Sequence, residues 1–156
     1  KVKKLYPETQ FELLGSMDPS YPKSVPEERL HQDEADGILK YVGFTHDMNS
    51  VYERKGIVIT LPSYSEGMNR ALMEATASGK PIITSDIPGC REAVDDGVNG
   101  YLVPVKNAEA LAEAMLRYIR LSDEDKQKQS DMSRVKAESL FDIRNVIGKY
   151  KEIVGE

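Results

Sequence analysis

The 156-residue sequence carries 21 basic and 26 acidic side chains, a net charge of −5, which argues against a nucleic-acid-binding face. Its single cysteine, Cys90, excludes an internal disulfide and suits a reducing compartment. The length allows one domain with a sizeable core, no apolar run approaches the ~18 residues of a membrane span, and a chain that opens on Lys1 without a signal peptide reads as a piece of a longer protein.

Residues 1–6 read as the last turn of a helix closed by Pro7. Residues 11–14 form a short apolar strand ending at Gly15, and residues 16–25, with Asp18, Pro19, Pro22 and Ser24, form a loop. Pro26 opens a helix that runs through Glu34, with acids in its first turn. Residues 38–42 are a second strand stopped by Gly43, and residues 48–54 a short helix. The run Ile57-Val58-Ile59-Thr60-Leu61 is apolar and β-branched, as a strand buried on both faces of a parallel sheet requires. A helix follows over 70–78 and stops at Gly79. Residues 81–84 are another buried strand, residues 90–94 one helical turn, and 101–103 a final strand after the turn-rich 95–100. Asn107 caps a helix over 108–121 with Leu111, Met115 and Ile119 on one face. The very polar residues 123–138 read as an exposed helix, and 141–153 as a last helix carrying Ile143, Val146, Ile147, Tyr150 and Ile153. Alternating strands and helices favour a parallel sheet with right-handed crossovers, an α/β fold.

The segment Pro62-Ser63-Tyr64-Ser65-Glu66-Gly67-Met68-Asn69-Arg70-Ala71-Leu72-Met73-Glu74-Ala75 leads the strand at 57–61 into a helix. The carboxyl end of such a strand is where α/β proteins bind ligands, and the free N–H groups of a helix start favour phosphates. Gly67 lets a ligand approach the backbone closely. The plainer alternative makes Gly67 a turn residue and lets Ser65 or water cap the amides. Helix rise puts Glu74 roughly 7 Å along the axis from Asn69. Glu66 and Glu74 therefore suit two parts of one elongated ligand better than a joint acid–base pair, unless Glu74 is only a solvated or salt-bridged helix residue. His31 and His46 have no metal-binding pattern, and Asp95-Asp96 reads as turn chemistry. Ser63 and Ser65 lack nucleophile-elbow glycines, and neither a P-loop nor a G-x-G-x-x-G dinucleotide fingerprint is present.

The blocks Leu61-Pro62-Ser63-Tyr64-x-Glu66-Gly67, Leu72-x-Glu74-Ala75-x-Ala77-x-Gly79-x-Pro81-Ile82-Ile83, Asp86-x-Pro88-Gly89-Cys90-Arg91-Glu92 and Gly97-x-Asn99-Gly100-Tyr101-Leu102-Val103 resemble the donor-binding domain of retaining GT-B glycosyltransferases, family four (group 1). Upstream, Leu13-Leu14-Gly15, Asp18, Pro22 and Gly37-Ile38-x-x-Tyr41-Val42-Gly43-x-Thr45-x-Asp47 are similar to bacterial enzymes of surface-polysaccharide and lipid-linked oligosaccharide synthesis. The resemblance implies a Rossmann-like parallel sheet with flanking helices, the C-terminal half of a GT-B fold, with residues 1–156 as one donor-binding domain of a longer two-domain enzyme. It implies Glu66 as the catalytic carboxylate at the donor sugar. Backbone amides of Gly67, Met68 and Asn69 would serve the sugar, those of Arg70, Ala71 and Leu72 the phosphates. Glu74 would bind the ribose, and Phe44 and Thr45 would line the base. No cofactor and no metal are implied.

The reaction implied is transfer of a hexosyl or N-acetylhexosaminyl group, galactosyl type, from a UDP-sugar to a glycan or lipid-linked acceptor. It would take place in the cytoplasm or at the inner face of the bacterial membrane, in capsule or lipopolysaccharide synthesis, and would allow peripheral membrane association of the full-length enzyme. Met68-Asn69 departs from the small or apolar residue and then Pro or Gly usual after Glu-Gly, which bears on sugar specificity. The family's first strand and its phosphate-gripping Arg and Lys lie upstream of Lys1, so a gap is expected between residues 11–14 and 57–61, closed by the strands themselves or by a second chain. Alone, the chain is expected to be inactive. A non-catalytic nucleotide-sugar-binding module is the alternative, and a GT-B UDP-GlcNAc epimerase ranks last because it lacks the two-glutamate spacing.

Overall fold

The computed structural model describes the chain apart from Pro19, Pro22, Lys23, Ser65, Glu66 and Glu156 and the side chain of Val146. It divides into two units, Lys1–Met48 and Asn49–Glu156. The first contains α1 (Val2–Leu5), β1 (Glu12–Leu14), α2 (Glu27–Ala35) and β2 (Lys40–Gly43), with β1 and β2 paired in parallel. Glu12 stands opposite Lys40 and Leu13 opposite Tyr41; an irregularity then sets Leu14 against Gly43. Tyr41 joins three elements: its hydroxyl donates to the Gly15 carbonyl at 2.7 Å and its N–H to the Glu34 carboxylate of α2 at 2.8 Å. The apolar content of residues 38–42 predicts a strand from Ile38. Instead the N–H groups of Ile38 and Leu39 turn back to the Asp33 carbonyl, so these residues close α2 and the strand starts at Lys40.

The second unit carries the larger sheet. β3 (Val58–Thr60), β4 (Ile82–Ser85) and β5 (Gly100–Val103) run parallel in the order β3-β4-β5. The central β4 is buried at all four positions, as a strand paired on both sides and covered on both faces should be. Within it the buried Thr84 hydroxyl donates to the Thr60 carbonyl at 2.7 Å. α3 (Met48–Tyr52) precedes β3, α4 (Arg70–Ala77) links β3 to β4, and α5 (Ala108–Ile119) follows β5. Leu111 and Met115 of α5 pack with Ile57, Ile59 and Tyr118 against a core of Ile83, Tyr101, Val103 and Ala114. A side chain such as Ile83, sealed from water, contributes roughly 1.5–3 kcal/mol.

The strands expected to flank a gap fall in separate ladders, and among the described residues none joins β1 to β3.

α6 (Asp123–Leu140) departs from the exposed helix that its polarity predicts. Gln129, Ser133 and Ala137, four residues apart, form a buried stripe along it. The Ser130 hydroxyl donates to the Gly79 carbonyl at 2.5 Å, Ser133 donates to the Lys80 carbonyl at 2.8 Å, and Arg134 donates to the Ala77 carbonyl. These carbonyls at and beyond the C-terminus of α4 have no partner within their own helix, so α6 supplies it.

α7 (Ile143–Val154) is capped by Asp142, which accepts from the Arg144 N–H at 2.8 Å and pairs with the Arg144 guanidinium. The side-chain hydrogen bond from Arg144, followed by the backbone one, lowers the Asp142 carboxyl to a pKa of about 2 from an ordinary 3.8. A depressed folded-state pKa gives stability that is present above the unfolded value and lost as pH falls from about 4 towards 2. Asp142→Asn keeps a good cap but cannot titrate. Its unfolding midpoint is expected to depend less on pH than the wild type's over that window, as denaturation followed by circular dichroism would show; parallel curves would remove Asp142 from the acid response.

Candidate functional site

The start of α4 is built around Asn69. Its backbone is extended (φ −72°, ψ 115°), and its side-chain oxygen accepts the Leu72 N–H at 3.2 Å. The Asn69 N–H donates to the Gly89 carbonyl at 3.2 Å. Gly89 lies in the loop after β4, where its own N–H donates to the Glu92 carboxylate at 2.8 Å and Arg91 pairs with Asp86 at 3.1 Å. The loops after β3 and β4 are thus tied together at the carboxyl edge of the sheet, the edge at which open parallel sheets bind ligands.

This mooring divides the amides of the segment. Those of Asn69 and Leu72 are engaged by Gly89 and by Asn69 itself, whereas those of Arg70 and Ala71 have no partner among the described residues. Two adjacent donors at a helix N-terminus match one phosphate group. The capping oxygen comes from Asn69. Ser65, the alternative cap, and Glu66 lie outside the described residues. In front of Gly67 a Cβ would meet nothing within 4 Å, and Met68 is exposed, so no described residue fills the approach to this loop.

Glu74 lies one turn further along α4 and takes the Arg70 guanidinium at 2.7 Å, an ion pair whose arginine side chain is 90% exposed. The Tyr52 hydroxyl, at the end of α3, donates to the Ala71 carbonyl at 3.3 Å. Burial first, and then the neighbouring Glu74 carboxylate, raises the Tyr52 pKa above its ordinary value. Tyr52 therefore braces the first turn of α4 from behind and sits beside Glu74. Sequence reasoning misses it; the available signal was a tyrosine ending a short helix just before an apolar strand.

Phe44 and Thr45 stand in the other unit, directly after β2. The Phe44 ring is exposed and meets His46 edge-on at 4.7 Å, and the Thr45 hydroxyl accepts the Asp47 N–H at 3.0 Å. Asp96 accepts the Leu102 N–H at 2.9 Å across the turn, whereas Asp95 reaches out of it to pair with Lys136 of α6 at 2.8 Å. Among the described residues no three His, Cys, Asp or Glu side chains group in a way that could hold a metal.

Asn69→Ala is expected to lower stability by about 1 kcal/mol through loss of the cap. Urea unfolding would measure it, and an unchanged midpoint would show that the Gly89 contact alone fixes the start of α4.

The family model described as glycosyl transferases group 1 matches residues 1–120. The N,N'-diacetylbacillosaminyl-diphospho-undecaprenol α-1,3-N-acetylgalactosaminyltransferase of Campylobacter jejuni is 31% identical over 140 residues, which is 89% of this chain and 35% of that enzyme. The poly(glycerol-phosphate) α-glucosyltransferase of Bacillus subtilis is 29% identical over 88% of this chain and 20% of its own length. The chain thus spans about a third or less of these relatives. Among solved structures, Anabaena HepE in complex with UDP superposes with a TM-score of 0.83 at 22% identity, over 96% of this chain and 41% of that one. The pneumococcal O-GlcNAc transferase GtfA in complex with UDP and GlcNAc does so at 0.76 and 26% identity, over 99% and 30%.

Proposed function

The chain belongs to the glycosyl transferases of group 1, and from that premise we propose that it is the donor-binding part of a retaining hexosyltransferase that uses a UDP-sugar. The observation that carries this is the start of α4, where the Arg70 and Ala71 amides have no partner among the described residues and Glu74 follows one turn on. In this reading the two amides and the helix dipole take the diphosphate and stabilise it as it leaves, a preorganised electrostatic contribution that needs no metal. Glu74 exchanges the Arg70 guanidinium for the ribose hydroxyls, and Arg70, released, turns to the phosphates. The amides of Gly67 and Met68 face the sugar, Glu66 acts at the reacting carbon, and Phe44 and Thr45 receive the uracil. Relatives that carry N-acetylgalactosaminyl and glucosyl groups support a hexosyl or N-acetylhexosaminyl donor, galactosyl type included, passed to a glycan or lipid-linked acceptor in polysaccharide synthesis. No helix among the described residues is long and apolar enough to cross a membrane; we place the reaction on the cytoplasmic side, at the membrane face where a lipid-linked acceptor would be met.

Calorimetric titration of the full-length protein with UDP-, GDP- and ADP-sugars tests the reading. A UDP-sugar is expected to bind best, and Glu74→Ala to weaken it by roughly tenfold or more, the worth of hydrogen bonds to a charged acceptor. Equal binding of all three nucleotides, or an unaffected Glu74→Ala protein, would remove the assigned site.

A further inference from the structure

We propose that the cleft between the end of α5 and the start of α6 is a second ligand site, for a small phosphorylated sugar or polyol. It lies at the amino edge of the sheet, beside the turn that enters β5, whereas the α4 site lies at the carboxyl edge. Its volume is about 550 Å³, a size that accommodates a small ligand.

At the base of the cleft is Gln129, whose residue is only 5% exposed. Its amide nitrogen donates to the Tyr101 hydroxyl at 3.2 Å, but its oxygen is buried with no hydrogen-bond partner among the described residues. A buried acceptor left unpaired is costly, so the position calls for a donor from whatever fills the cleft. On the rim stand Arg117 and Arg120, three residues apart on α5. Arg117 lies 4.3 Å above the Tyr101 ring, a cation–π contact that holds it at the cleft. Lys128 is already neutralised by Glu124 at 2.9 Å and Asp125 at 3.5 Å. Two guanidiniums on one rim suit a phosphate or carboxylate. Asp125, also on the rim, disfavours a bare multivalent anion and accepts from hydroxyls. The combination selects a ligand that is anionic at one end and hydroxylated at the other: phosphate on Arg117 and Arg120, hydroxyls on Gln129 and Asp125.

The test is an NMR titration of the full chain, with saturating UDP present to occupy the α4 site, using glucose 1-phosphate, inorganic phosphate and glucose as probes. Glucose 1-phosphate is expected to shift the amide signals of Val98 and Tyr101 and the Gln129 side-chain amide saturably, at least tenfold more tightly than either half-probe. Arg120→Ala and Arg117→Ala, both at exposed positions, are each expected to weaken it by about tenfold. Equal binding by inorganic phosphate would reduce the cleft to a generic anion patch and overturn the proposal. So would shifts confined to residues 70–74, no saturation below 10 mM (roughly 2.7 kcal/mol of binding), or arginine variants that bind as the wild type does.

Discussion

Replacing Gly100 with alanine is expected to prevent the second unit from folding at room temperature. A Cβ on Gly100 would lie 1.9 Å from the Ile82 carbonyl oxygen and 2.8 Å from both its carbon and its nitrogen. Ile82 has nowhere to move. It is fully buried and is held in register on its other side by Val58. The clash is with backbone, not with the tip of a flexible side chain, so relief means parting β4 from β5. A cost above about 4 kcal/mol is a large share of the 5–15 kcal/mol that holds a domain together. Gly148→Ala is the control: it lies inside α7, a Cβ there meets nothing within 4 Å, and alanine should be neutral or better by roughly 0.5–1 kcal/mol. Circular dichroism and thermal melts of the two variants decide the matter. A Gly100→Ala protein melting within about 5 °C of wild type, the equivalent of roughly 1 kcal/mol, would mean that the sheet is far more yielding than its close strand contacts imply.

The second large effect concerns chemistry. In the full-length protein, Glu66→Gln is expected to reduce turnover by roughly 10²–10⁴-fold, the range for a group that acts in the transition state. Donor affinity should stay within a few-fold, because the amides of Arg70 and Ala71 and the Glu74 carboxylate remain in place. Glutamine keeps the size and polarity of the side chain and removes the charge, so a fall in kcat without a matching rise in KM separates a catalytic carboxylate from a binding one. Turnover within tenfold of wild type would instead favour the non-catalytic reading of this segment.

Much of the fold was legible because its signals were local. The β-branched run at 57–61 and the Pro-Ile-Ile-Thr run at 81–84 became β3 and β4, and Asn107 caps α5 by accepting the Ala110 N–H at 2.9 Å. Ile38 misled because apolar character says nothing about where an N–H is spent; the Asp33 carbonyl took it. α6 misled for the opposite reason. Its polarity hid a stripe of Gln129, Ser133 and Ala137, side chains small enough or suitably hydrogen-bonded to allow close packing, and reading for small residues at a spacing of four would have found it. In the candidate site the motif located the start of α4 and Glu74 upon it, while Glu66 lies outside the described residues. It could not show which amides stay open, because that depends on the Gly89 carbonyl, twenty residues away in sequence and on another loop. Tyr52 escaped for the same reason: its place beside Glu74 is a product of packing.

The attachment of α6 also has a thermal character of its own. Apolar surface leaving water gives folding its large heat-capacity change and weakens the sheet's core on cooling. The bonds from Ser130, Ser133 and Arg134 to the end of α4 are polar, and the buried stripe of α6 is a glutamine, a serine and an alanine. Release of α6 therefore has a small heat-capacity change and an enthalpy that varies little with temperature. On cooling, the clasp on the rear of α4 is therefore expected to weaken less than the core beneath it.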